Sequence, residues 1–154
     1  MATLSTPTVT LGSTSGDKRD VTVAGTMNFD ASDVDRTYRL EIKLYGEDLS
    51  GDNLPSGDST ADDLISTFMW VSGGILLRSY KAVTVLAAGA VNYSEKRAID
   101  TAKLDEDAGK EIVGWADINT PIYMPRSDEV YAQVTLGTAP VTKRSATVQA
   151  GIGV

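Results

Sequence analysis

The chain has 154 residues, a net charge of −7 and 42% hydrophobic side chains, and it contains neither cysteine nor histidine. That length and apolar share suit one domain with a single core. The missing side chains exclude disulfides, Cys/His zinc sites, thiolate nucleophiles and any catalysis built on imidazole, while the acidic balance disfavours nucleic acid and anionic membranes, whose phosphates need clustered Lys and Arg.

The first residues, Met1-Ala2-Thr3-Leu4-Ser5-Thr6-Pro7, carry no basic n-region and no apolar h-region, so no signal peptide is read. Leu4 to Leu11 reads as a detachable edge strand able to add to a neighbour's sheet. Period-two alternation then recurs along the chain, the mark of half-buried strands. Val21, Val23, Met27 and Phe29 alternate with Thr22, Ala24, Thr26 and Asn28; Tyr38, Leu40, Ile42 and Leu44 alternate with Arg39, Glu41, Lys43 and Tyr45. Val130, Ala132, Val134 and Leu136 repeat the pattern, as do Ala146, Val148, Ala150, Ile152 and Val154. The predicted strands are 7–11, 19–29, 37–46, 64–71, 79–87, 90–99, 111–118, 129–137 and 144–152. Residues 60–71 also fit a short helix capped by Thr60, but the strand is preferred. Pro121 and Pro125 exclude a central strand between Asn119 and Ser127.

Short strands with a turn about every ten residues predict an all-β fold, an antiparallel β-sandwich of about seven to nine strands, immunoglobulin-like or jelly-roll-like. The whole of 1–154 is read as one domain with a long acidic loop at 47–63. The run Asp128-Glu129-Val130-Tyr131-Ala132-Gln133-Val134 resembles the Asp-x-x-Tyr start of a late strand in immunoglobulin-like sandwiches. The resemblance implies that architecture and a "tyrosine corner" role for Tyr131. Gln133 stands where that family has cysteine, and no activity is carried over.

Charge is uneven. Residues 28–63 hold ten acids and three bases, whereas 64–99 hold one acid and four bases, so opposite patches on two copies could meet. Clustered aspartates suit a hard cation such as calcium, which takes six to eight oxygen ligands. The metal candidates are Asp30, Asp33 and Asp35 in one loop and Asp105 and Asp107 in another. Counting strands up and down places loops 30–36 and 100–110 at one end of the sandwich and 47–63 at the other. The competing reading is solvated turn aspartates, which bond their own backbone. The spacing is not that of an EF-hand. No carboxylate pair, Ser-x-x-Lys or glycine-rich phosphate loop supports catalysis, and the chain is read as no enzyme and as requiring no cofactor.

The stretch Leu64 to Leu77 is uncharged but too short to span a membrane, which takes about 20 apolar residues. Phe68-Met69-Trp70-Val71 suggests burial on two faces, one against the core and one against another subunit. Phe68, Trp70, Tyr123 and Met124 are therefore the candidate interaction residues; core packing competes for Trp70 and Trp115. The functional expectation is a non-catalytic structural or self-association protein, a subunit of a homo-oligomer, filament, appendage or virus-like assembly. The alternative is a calcium-dependent module binding a glycan or a membrane head group through acidic loops. A soluble chain, extracellular or particle-associated, fits either.

Overall fold

A computed structural model describes residues 1–47, 63–104, 110–125, 129–138 and 141–149. In chain order the elements are β1 (Thr3–Leu4), β2 (Thr8–Ser15), β3 (Lys18–Phe29), a 3₁₀ turn (Ala31–Asp33), β4 (Thr37–Glu47), β5 (Asp63–Thr67), β6 (Trp70–Ser72), β7 (Leu76–Arg78), β8 (Lys81–Thr84), β9 (Gly89–Asp100), α1 (Thr101–Leu104), β10 (Lys110–Asp117), β11 (Thr120–Pro125), β12 (Glu129–Gly137), β13 (Val141–Arg144) and β14 (Val148–Gln149).

The alternation dictates which side chains face inward. In β3, Val21, Val23, Met27 and Phe29 are buried; in β4, Tyr38, Leu40, Ile42 and Leu44; in β12, Val130, Ala132, Val134 and Leu136. Together with Leu4, Ile65, Phe68, Val85, Tyr93, Ile99 and Leu104 they form one apolar cluster. A strand presents every second residue to one face, so two sheets closing over these faces bury them all at once. The protein is an all-β antiparallel sandwich.

Each sheet is simpler than its strand count. β3 is the centre of the first: β9 pairs along its full length from Lys18↔Asp100 to Phe29↔Gly89, and β1 and β2 share its other edge. In the second, β4 and β12 pair centrally from Glu47↔Glu129 to Arg39↔Gly137. The outer edge of β12 is covered by β13 and β14, and that of β4 by β5 and β8. Three rows therefore face four. The rows β1/β2, β3 and β9 form one sheet, and β13/β14, β12, β4 and β5/β8 the other.

Two ribbons stand outside these sheets: β6–β7, with Trp70↔Arg78, Val71↔Leu77 and Ser72↔Leu76 as partners, and β10–β11. The first leaves the edge row between β5 and β8, between Phe68, whose N–H donates to the Ile42 carbonyl at 2.9 Å, and Lys81, the partner of Leu40. Its turn is formed by Gly73 and Gly74, both at positive φ (64° and 81°), where only glycine is unstrained.

Several sequence expectations need adjustment. The strand at 64–71 divides into β5 and β6, and 79–87 shrinks to β8. Both belong to one row of the sheet, so the chain makes one fewer passage than counted. Phe29 and Asp100 consequently sit at opposite ends of β3, and loop 30–36 and the end of β9 do not converge. The end of β9 lies instead at the end of the sandwich where β4 finishes. The segment with two prolines does form a strand, β11, but in a two-stranded ribbon away from any sheet centre. The strand reading of 60–71 holds over Asp63–Thr67.

Candidate functional site

The acidic candidates fall into different surroundings. Asp30 caps the 3₁₀ turn, its Oδ1 accepting from the Ser32 N–H at 2.8 Å and from the Ser32 hydroxyl. Asp33 closes the capping box by accepting from the Asp30 N–H at 2.8 Å. The Asp33 side chain is 1% exposed, and its Oδ1 accepts the Tyr38 hydroxyl at 2.5 Å. The Met1 ammonium pairs with Asp30 and lies 3.5 Å from Asp33. The hydrogen bond to Asp33, then burial, push the Tyr38 phenol above its ordinary pKa. Asp35 is exposed, at φ 66°, and its N–H donates to the Val85 carbonyl at 2.9 Å. The oxygens of Asp30 and Asp33 thus cap a turn, receive a phenol and meet the ammonium. Among the described residues no group of three or more Asp or Glu gathers in a metal-binding arrangement. Asp105 and Asp107 lie outside the described residues.

The interaction candidates also separate. Phe68 is 1% exposed and belongs to the core. Trp70 is half-buried and packs against that core, its Nε1–H buried without an acceptor. Arg97 lies over both rings, at 5.3 Å from Phe68 and 5.2 Å from Trp70. Its Nη2 donates to the Met69 carbonyl at 3.0 Å. Tyr123 and Met124 are in β11, opposite Ile112 and Glu111.

The exposed apolar surface lies next to these positions. Val71 and Leu77, register partners on β6–β7, are 64% and 65% exposed, and Ile75 and Leu76 at the turn are 89% and 71% exposed. The opposite face of the ribbon carries the half-buried Trp70–Arg78 pair. The second ribbon exposes Trp115, Ile118 and Ile122; core packing, one reading of Trp115, does not hold. Its turn is tied by Asp117, whose carboxylate accepts from the Asn119 N–H at 2.9 Å and the Thr120 hydroxyl at 3.0 Å. These bonds, the Asn119 one foremost, hold that carboxyl below the usual range. The signal for the first ribbon was present in the sequence, since Gly-Gly between apolar runs is a hairpin pattern.

The outer face of the four-row sheet is polar and aromatic. Tyr131 stacks on its partner Tyr45 with ring centroids 5.5 Å apart, and Arg144 covers the Tyr131 ring at 5.6 Å. Tyr131 is buried by this stack on the outer face, while Val130 and Ala132 enter the core. Farther along, a groove of about 480 Å³ is lined by Thr37, Arg39, Glu41, Thr135, Gly137 and Thr138. The described residues carry thirteen acids and thirteen bases, so the net charge of −7 resides in the remaining segments. No described helix is long and apolar enough to cross a membrane.

No family model matches the chain, and no curated protein matches it. Among solved structures it is similar to the crystal structure of Bifidobacterium adolescentis GH3 beta-glucosidase, with 12% identity and a TM-score of 0.40, over 97% of this chain and 17% of that one. The chain thus spans less than a fifth of that protein's length, and nothing about activity follows from the likeness.

Proposed function

We propose that this protein is a non-catalytic structural subunit that works by self-association, with the β6–β7 ribbon as its association element. The observation that carries this reading is the bare Val71–Leu77 face together with Ile75 and Leu76 at the turn. A two-stranded ribbon has little stability of its own in water. This one is anchored on one face by Trp70 and leaves its other face to solvent. Covering a leucine or valine side chain contributes roughly 1.5–3 kcal/mol, so four such residues on each of two copies supply a large apolar drive. Acid-free sequence from Leu64 to Ser94 removes like-charge repulsion between acidic copies at this surface.

Sedimentation velocity across a wide concentration range tests the reading. The expected result is a concentration-dependent shift to larger species that Val71→Ser with Leu77→Ser reduces while the melting temperature is kept. A strict monomer at high concentration overturns it.

A further inference from the structure

On the outer face of the four-row sheet two guanidinium groups converge on one ring. The Cζ atoms of Arg39 and Arg78 lie 4.5 and 4.8 Å from the centroid of Tyr80. Two cations against one ring repel each other, and a carboxylate between them would relieve the repulsion. Among the described residues neither arginine takes part in an ion pair. The Nε–H of Arg78 is moreover a buried donor without an acceptor. Glu41, two residues beyond Arg39 and lining the same groove, forms no ion pair with it. Thr37 and Thr135 extend the groove with hydroxyl groups.

We propose that Arg39, Arg78 and Tyr80 form a receptor for the carboxylates of an acidic peptide segment, and that a second copy of this chain supplies it; the second clause rests on the self-association reading. The planar guanidinium takes a carboxylate through two parallel N–H donors, and the ring beneath holds that plane. The threonine hydroxyls can meet backbone groups of an extended segment. The chain itself carries the complement: residues 47–63 hold six acids and no base.

The probe is a labelled synthetic peptide of residues 47–63, titrated by fluorescence anisotropy into the full chain kept dilute. Saturable binding is expected, weakening about tenfold or more as salt rises from about 50 to about 300 mM, because these charges are exposed to screening. Arg39→Gln and Arg78→Gln each weaken it by about tenfold, the loss of one charge-assisted contact. Arg78→Lys, which keeps the charge but not the fork, is intermediate. Glu41→Gln strengthens it by removing a like charge, and Lys96→Gln, at an exposed position of β9 in the other sheet, leaves it unchanged. Circular dichroism shows that each variant is folded. Equal binding of a peptide with Asn and Gln in place of the acids, or wild-type binding by both glutamine variants, overturns the receptor. If the peptide binds but the full chain never associates, the second-copy clause and the association reading fall while the arginine site stands. If the chain associates but the peptide does not bind, the site falls and the association reading stands.

Discussion

Tyr93 of β9 lies across Gly25, its register partner in β3, so closely that a Cβ on Gly25 would come within 2.5 Å of the phenol oxygen and 2.8 Å of Cζ. An aromatic ring over a cross-strand glycine covers backbone that the missing side chain leaves bare. Gly25→Ala is therefore expected to cost about 1–3 kcal/mol through overpacking, read as a fall in urea midpoint. Tyr93→Phe should be neutral or stabilising, since the Tyr93 hydroxyl is buried without a partner and its removal relieves a desolvation cost.

The same phenol predicts the alkaline limit of the fold. Burial pushes the Tyr93 pKa up to about 12, and Tyr38 is also raised, by its hydrogen bond to Asp33 and then by burial. The folded state thus holds protons that the unfolded chain releases near its ordinary phenol pKa of about 10. This contribution is complete below about pH 10 and is lost as pH rises toward about 12. Denaturant midpoints measured across that window should fall, and fall less in Tyr93→Phe. An unchanged slope in that variant would show that the ring ionises freely in the folded state.

Tyr38→Phe removes the hydroxyl donor to Asp33, which is 1% exposed. A buried carboxylate that loses a hydrogen bond costs about 1–3 kcal/mol. Asp33→Asn in the same background should recover part of that loss, because no buried charge then remains. Chemical denaturation of the two single variants and the double variant measures the coupling.

Arg97 bridges the sandwich edge and the root of the ribbon through its contacts with Phe68, Trp70 and the Met69 carbonyl. Arg97→Lys keeps the charge but loses the plane and the directed donor. The expected cost is about 1 kcal/mol, together with a change in Trp70 fluorescence at temperatures below the main transition.

Asp117 sets the acid response of the second ribbon. Its carboxyl is held below the usual range by Asn119 and Thr120, so the turn is supported at neutral pH and released as pH falls through that lowered value. Amide exchange of Asn119 and Thr120 should quicken in acid. In Asp117→Ala it should already be fast at neutral pH.

The central strands β3, β4 and β12 were legible because period-two burial is a local signal, and Val21, Leu40 and Val134 obey it. Pairing is a global matter, and there the sequence was less informative. Nothing local states that β5 and β8 lie along the same strand, and that single fact reverses which loops meet. Tyr131 keeps the alternation yet is buried, because its cover comes from Tyr45 on the neighbouring strand. Arg39, Arg78 and Tyr80 were invisible as a group: Arg39 lies on β4, Arg78 and Tyr80 at the end of the ribbon some forty residues on, and only the path of the ribbon brings the two segments together.

Three of the outer rows, β1/β2, β5/β8 and β13/β14, are built from two short pieces, whereas β3, β4, β9 and β12 run unbroken. Length changes at such interruptions do not propagate into the register of the central strands. The Gly73–Gly74 turn is then a natural place to graft foreign sequence: an epitope inserted there would be displayed at the tip of the ribbon, while the core pairs Leu40↔Leu136 and Ile42↔Val134 stay in place.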